Sequence, residues 1–299
     1  MHANYPLIAR QATDQTNYGF ELNGIKFAQN TFNIVAGLNT VDNERNVERT
    51  FRTLQQLGLV CARMGAFKPR TSPYSFQGLG DRCLPYVFAL AATYGIKLIA
   101  IEITHEAQLD TICDILATQH NPTKILVQIG TRNAQNFELL KALGKQQQFP
   151  ILYKRGYGIT LEESIAACEY LAHAGNDNII FCLRGMKSHY AGPHRNFVDV
   201  AHVPVIKRLT KMPVCVDPSH AVGNLERDLN DIPDIFNVAA QAVVAGANML
   251  LVDVHPEPAT ALVDAQQAIA LDYLGWFVDD MQHCRELYLQ RSQLEAILA

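Results

Sequence analysis

Eight short apolar runs, each followed by a segment of helical character, constrain the fold of this chain more than any other feature. They occupy residues 33–37, 59–64, 97–103, 124–130, 151–154, 179–184, 214–217 and 249–254. Runs of this length without polar alternation read as strands buried on both faces, which means parallel strands covered by helices. Eight βα units in succession predict an α/β fold, a closed (β/α)8 TIM barrel. A hairpin precedes them: residues 20–22 and 25–27 alternate about Asn23-Gly24, a dipeptide suited to the positive φ angles of a type I′ turn. The expected organisation is an N-terminal hairpin segment, residues 1–30, covering the amino end of the barrel. One barrel catalytic domain follows, residues 31–299, with a C-terminal helical extension from about Tyr273.

The helical segments carry their own punctuation. Thr160-Leu161-Glu162-Glu163 is a capping-box start, and Gly175-Asn176 offers a C-cap for the same helix. Asp42 or Asn43 can cap a helix running to Gln56 and Leu57, with Gly58 ending it. Trp276, the single tryptophan, falls on the last helix, where barrel packing or a subunit contact suits it better than a ligand.

With 299 residues, 48% of them hydrophobic, the chain can bury a core of that size, and its net charge of -4 argues against nucleic acid or an anionic membrane as partner. No apolar stretch approaches the roughly 18 residues of a membrane span, and no leader pattern opens the sequence, so a cytoplasmic protein is expected. Seven scattered cysteines fit reduced thiols better than disulfides or zinc. No stretch has the size of an appended regulatory domain, so control by such a module is not expected.

Active sites of such barrels form at the carboxyl ends of the strands. After the second run, residues 63–78 set three cations among hydroxyls, glycines and prolines. The planar forks of Arg63 and Arg70 suit phosphate or carboxylate, Lys68 adds a point charge, and Pro69 and Pro73 reduce the entropy lost when the loop orders. The other runs lead to Asn39, Glu102, Arg132, Lys154 with Arg155, Arg184 with Lys187, Asp217 with His220, Asp253 with His255, and then Asp264. Cations from four strands converging on one mouth imply at least two bound phosphate or carboxylate groups. Asp217, His220, Asp253 and Asp264 supply proton-transfer groups or metal ligands. Taken singly, Arg155 and Lys187 read equally well as solvent-facing or supporting residues, His255 as a bridge between backbone groups, and Asp217 as a turn cap.

The motif Lys68-Pro69-Arg70-Thr71-Ser72-Pro73-Tyr74, with Gly130-Thr131-Arg132-Asn133, Lys154-Arg155-Gly156, Asp217-Pro218-Ser219-His220 and His255-Pro256-Glu257-Pro258, resembles the type I 3-deoxy-arabino-heptulosonate-7-phosphate (DAHP) synthases. These enzymes open the shikimate pathway to the aromatic amino acids, and the likeness runs from about residue 30 to 270. The related octulosonate-8-phosphate synthases share the barrel but usually carry another loop in place of Lys-Pro-Arg-Thr. The resemblance implies a transferase that condenses phosphoenolpyruvate with erythrose 4-phosphate and water. C3 of phosphoenolpyruvate attacks the aldehyde, water adds at C2, and phosphate leaves with carbon–oxygen cleavage. It further implies that Arg63, Arg132, Lys154 and Arg184, with Glu102, bind phosphoenolpyruvate. Arg70 and Thr71 would hold the acceptor phosphate, and Lys68 between them would protonate or polarise the reacting groups. A homodimer or homotetramer, with these two small molecules as partners, is the corresponding assembly.

Two departures bear on the chemistry. Most members of the family hold Pro-Cys after the first strand, the cysteine being a ligand to an essential divalent metal, where this chain has Leu38-Asn39. Asp253 stands where the family usually has Glu, while His220 and Asp264 match. A neutral amide is a poor donor for soft or borderline ions, and Asn is the residue of the metal-independent octulosonate-8-phosphate synthases. The expectation is therefore a metal-independent synthase with no required cofactor, in which Asn39, Lys68, His220, Asp253 and Asp264 are catalytic. The alternative is a weak Mg²⁺ or Mn²⁺ site at His220, Asp253 and Asp264. Met64, replacing a family glycine, is expected to narrow the phosphoenolpyruvate site or to shift acceptor choice. Two rival functions are a synthase using another aldose phosphate in secondary metabolism and a non-catalytic sensor; retained His220 and Asp264 speak against the sensor.

Overall fold

The structure is a computed structural model of the chain, and it describes residues 4–11, 14 and 18–293. Each apolar run becomes a strand. A hairpin of β1 (Gly19–Leu22) and β2 (Ile25–Ala28) comes first, then β3 (Asn33–Leu38), α1 (Glu44–Gln56), β4 (Cys61–Met64), α2 (Leu84–Thr93), β5 (Leu98–Glu102) and α3 (Ala107–Thr118). The second half continues with β6 (Lys124–Ile129), α4 (Phe137–Lys145), β7 (Ile151–Lys154), α5 (Leu161–Ala174), β8 (Ile179–Leu183), α6 (His202–Leu209) and β9 (Val214–Val216). It ends with α7 (Pro218–Val222), α8 (Asp234–Val244), β10 (Met249–His255), β11 (Ile269–Ala270) and α9 (Leu271–Ser292). Strands β3 to β10 pair in parallel in chain order, and β10 returns to pair with both β3 and β9, closing the barrel.

The helix signals act as expected. Thr160 and Glu163 form the reciprocal capping box of α5, and Gly175 caps its other end. Between the two candidates for α1, Asn43 is the cap, accepting from Asn46 N, while Asp42 takes a bond from Asn46 Nδ2.

Side chains alternate across each strand, giving two apolar layers. One, with Ala62, Met64, Ile99, Val127, Phe181 and Val252, packs outward against the helices. The other fills the barrel with Val35, Cys61, Ala100, Leu126, Leu152, Cys182, Cys215 and Leu251. Three of the cysteines are thus interior packing, and burial pushes the Cys61 thiol up to about 12. All seven are unpaired. The outward direction of Met64 corrects one expectation: its side chain, 1% exposed, belongs to the helix-facing layer and does not narrow the mouth.

The hairpin covers the amino end as expected. Asn23 adopts φ 54° in the turn, and its Nδ2 donates to the carbonyls of Lys97 and Pro122, ahead of β5 and β6. Ile25 and Phe27 enter the interior cluster. Burying such side chains contributes about 1.5–3 kcal/mol each, without which a two-stranded ribbon is marginal. At the other end of the chain, α9 begins at Leu271, two residues before the expected start; its extension over residues 294–299 lies outside the described residues. Leu274, Phe277, Val278 and Met281 dock it on the barrel, and Trp276 packs on Phe236 of α8 at 4.8 Å. Among the described residues, no helix is long and apolar enough to cross a membrane.

Candidate active site

Two residues beyond the apolar interior, the same alternation delivers one inward position from each strand: Gly37, Arg63, Glu102, Gln128, Lys154, Arg184, Asp217 and Asp253. This ring is the floor of the site. Most of its charges are matched. Lys154 Nζ lies 2.5 Å from Asp217 Oδ2, Arg63 donates to Asp253 Oδ1, and Gln128 Nε2 donates to Glu102 Oε2 at 3.1 Å. Burial opposes charge on Asp217, but His220 and Lys154 outweigh it and hold that carboxyl well below the usual range. Arg184 differs. It is 4% exposed, its Nε has no partner, its Nη1 meets only the Gly185 carbonyl at 3.4 Å, and burial lowers its pKa. A guanidinium does not deprotonate in response; it calls for an anion.

Glu102 is held by the absence of a side chain opposite. A Cβ on Gly130 would lie 2.0 Å from Glu102 Oε1. Gly130→Ala is expected to displace Glu102 and raise the KM of an anionic substrate roughly tenfold, measured by initial rates, the scale at which a small misplacement is felt.

Above the floor, the loops enclose a cavity of about 300 Å³. Lys68, Arg70 and Thr71 from the loop after β4 face Arg132, Lys154 and Arg184 across it, with Glu102, His220 and Asp264 completing the walls. Arg132 Nη2 reaches Thr71 Oγ1 at 3.4 Å, which joins the two cationic loops. These nine residues, all marked by the sequence, therefore line one cavity. Asn39, Arg63 and Asp253 do not line it and are buried, 6%, 3% and 0% exposed. Arg155 does not face the mouth or the solvent. It is buried on the other side of β7, with Nη1 3.0 Å from Asp199 Oδ2. Lys187 does reach the wall, its Nζ 4.4 Å from the centre of the Tyr157 ring. His255 bridges Asp42 and the Glu257 amide, and Asp217 caps α7 while also pairing Lys154.

Residues not marked beforehand also enter. Gln128 was reachable from strand alternation alone. Arg195, Tyr157 and Gln267 were not, because each sits in an irregular loop whose path no periodicity encodes.

The titratable groups about His220 cluster tightly. His220 Nδ1 lies 2.9 Å from Asp217 Oδ2, without hydrogen-bond alignment, and 3.6 Å from Asp253 Oδ2; its Nε2 is 3.9 Å from Asp264 Oδ2. Burial outweighs these carboxylates and pushes the imidazole down to about 4, so it is neutral at pH 7. Burial, with Arg63 nearby, likewise brings Lys68 down to about 8. Asp264 stays ionised, held at about 2 against burial by His220, Arg195 and Lys68.

Asn39 ties the floor to these groups. Its Oδ1 accepts from Lys68 Nζ at 2.5 Å and Arg63 Nη2 at 2.9 Å, and its Nδ2 donates to Asp264 Oδ2 at 2.9 Å. Turned over, the amide would set its NH2 against two cations and its oxygen against a carboxylate, so electrostatics fixes its orientation. Asp253 is committed as well, one oxygen to Arg63 and the other to Gln267 Nε2 at 2.6 Å. The Asn39 oxygen and both Asp253 oxygens are thus already bound by donors of the chain itself, which leaves a divalent ion few free ligands here. Among the described residues, no group of three His, Cys, Asp or Glu side chains is arranged to hold a metal ion.

A closed barrel whose strand ends pool cations around a neutral imidazole and an ionised carboxylate is the site of an enzyme that handles anionic substrates. The model of the DAHP synthetase I family matches residues 12–290. A phospho-2-dehydro-3-deoxyheptonate aldolase from Thermotoga maritima is 36% identical over 278 residues, 93% of this chain and 77% of that one. The crystal structure of the enzyme of that name from the same organism superposes with a TM-score of 0.83 at 34% identity, covering 94% of this chain and 77% of that chain. A 2-dehydro-3-deoxyphosphooctonate aldolase from Acidithiobacillus ferrooxidans is 24% identical over 269 residues, 85% of this chain and 90% of that one. The chain belongs to the DAHP synthetase I family, and with it to the phosphoenolpyruvate-dependent aldol-condensing transferases.

Proposed function

We propose that this member of the family condenses phosphoenolpyruvate with erythrose 4-phosphate and water to give DAHP and phosphate, and that it does so without a divalent metal. The observation that carries the reading is the one cavity gathering the Lys68–Thr71 loop with Arg132, Lys154 and Arg184. Two like-charged substrates approach each other only in such cationic surroundings. The unmatched guanidinium of Arg184, with Arg132 and Lys154, takes phosphoenolpyruvate; Arg70 and Thr71 take the acceptor phosphate. Lys68 then stands where C3 of phosphoenolpyruvate meets the aldehyde and gives a proton to the alkoxide that forms. His220 and Asp264 orient the water that adds at C2 before phosphate departs. Identity of 36% to a heptonate enzyme against 24% to an octonate enzyme favours the four-carbon acceptor. The metal-free part rests on Asn39, whose oxygen serves two cations and whose NH2 serves Asp264.

Phosphate release is to be measured with phosphoenolpyruvate and four- or five-carbon aldose phosphates, before and after exhaustive chelation. Erythrose 4-phosphate is expected to be preferred, with the rate unchanged within about twofold by the chelator. Activity restored only by one divalent ion would overturn the metal-free reading, and preference for a five-carbon aldose would overturn the acceptor. Phosphoenolpyruvate binding without turnover on any aldose would leave a sensor.

A further inference from the structure

Three aspartates surround His220, and each is paired with a cation of the chain: Asp217 with Lys154, Asp253 with Arg63, and Asp264 with Arg195. The first two pairs belong to the barrel floor. The third is built from loops. Arg195 lies between β8 and α6, and its segment is stitched alongside α7: Arg195 N donates to the Val222 carbonyl at 2.7 Å, and Asn196 N to that of Ala221 at 3.0 Å. Asn196 Nδ2 adds a bond to the His220 carbonyl at 2.7 Å. Room for the arginine stem comes from Gly223, at φ 79°, where a Cβ would lie 2.4 Å from Arg195 Cβ. From there Arg195 Nη1 reaches Asp264 Oδ1 at 3.1 Å and Gln267 Oε1 at 3.0 Å, and Gln267 Nε2 passes on to Asp253. Asp264 itself sits at φ 52°, a left-handed conformation unusual for a residue other than glycine, which surrounding contacts must hold.

We propose that Arg195 is a positioning residue for the condensation, supplying at Asp264 the positive charge that a divalent ion would otherwise supply and aiming that carboxylate at Asn39 and His220. The inference rests on the metal-free reading above and adds to it the residue that completes the charge balance. It accounts for a cation 39% exposed at the cavity edge that spends one nitrogen on both a carboxylate and an amide oxygen. Removing it leaves Asp264 without its arginine partner.

The test compares the native protein with Arg195→Met and Arg195→Lys, using Mn²⁺ alone as probe. The native protein is expected to show no bound Mn²⁺ by electron paramagnetic resonance and no change of Tm at 1 mM added ion, as about that concentration would reveal a weak oxygen-donor site. Arg195→Met is expected to lose roughly tenfold or more in kcat, with KM for both substrates within about threefold, and to gain Mn²⁺ binding with a rise in Tm. Arg195→Lys is expected to keep most of kcat and to bind no Mn²⁺. If Arg195→Met instead raises either KM tenfold with kcat retained, Arg195 is a substrate ligand and the proposal falls. It falls too if the folded variant binds no Mn²⁺. Should Arg195→Met fail to fold, Arg195→Gln takes its place with the same expected loss of kcat and gain of Mn²⁺ binding; retained kcat, or no Mn²⁺ bound by the folded variant, would overturn the proposal. Loss of native activity on chelation would overturn the metal-free reading itself, a result separate from all of these.

Discussion

Lys68→Met is expected to lower kcat by about 10²- to 10⁴-fold, the range spanned by loss of a positioned proton donor, without unfolding the barrel. The lysine reaches down from the loop after β4 to two acceptors on one residue, the Asn39 carbonyl at 3.1 Å and its side-chain oxygen at 2.5 Å. Among the described residues no carboxylate pairs with it directly, so its removal leaves no buried anion unpaired and the cost falls on chemistry. Burial and the neighbouring Arg63 bring its pKa to about 8. Below that value the ammonium is the dominant form and can give its proton; above it the free amine cannot. The native kcat/KM for phosphoenolpyruvate should therefore decline as pH rises through about 8. A profile flat from pH 7 to 9.5, or a Lys68→Met protein with unchanged kcat, would remove Lys68 from the reaction.

Lys154→Met should show its largest effect in stability as well as in turnover. Asp217 is wholly buried, and its salt link to Lys154 is one of the two that neutralise the barrel floor. Breaking one side of such a pair leaves an uncompensated buried charge, at about 3–5 kcal/mol, which lowers Tm on the order of 10 °C. Lys154→Met/Asp217→Asn removes both charges and keeps an oxygen to cap α7, where Asp217 Oδ1 now accepts from His220 N. The double variant is expected to recover most of the lost stability and none of the activity, since Lys154 also faces the substrates. Equal Tm values for the single and double variants in a thermal melt would show that the pair is not what holds the floor.

Much of this site was legible before any coordinates. The strand runs were continuous and apolar because both faces are buried, and a period of two then carries each strand from an interior residue such as Leu152 or Cys215 to a functional one, Lys154 or Asp217. The loop at 63–78 declared itself by charge and proline. What stayed hidden depended on loop paths and on direction around a strand. Arg195 comes well after its strand and reaches the site only because its segment pairs with Ala221 and Val222. Arg155 adjoins Lys154 and so points the opposite way, into a buried pair with Asp199. Met64, one residue on from Arg63, faces the helix side for the same reason, and so does not border the site.

The interior placement of the thiols reaches beyond packing. Cys61, Cys182 and Cys215 are sealed inside the barrel, Cys83 and Cys168 are buried outside it, and burial keeps Cys61, Cys83, Cys168 and Cys215 protonated at physiological pH. With an amide at position 39, none of the residues lining the cavity or its floor contributes a thiolate. Peroxide attacks accessible thiolates, and none of the described residues lining this cavity offers one.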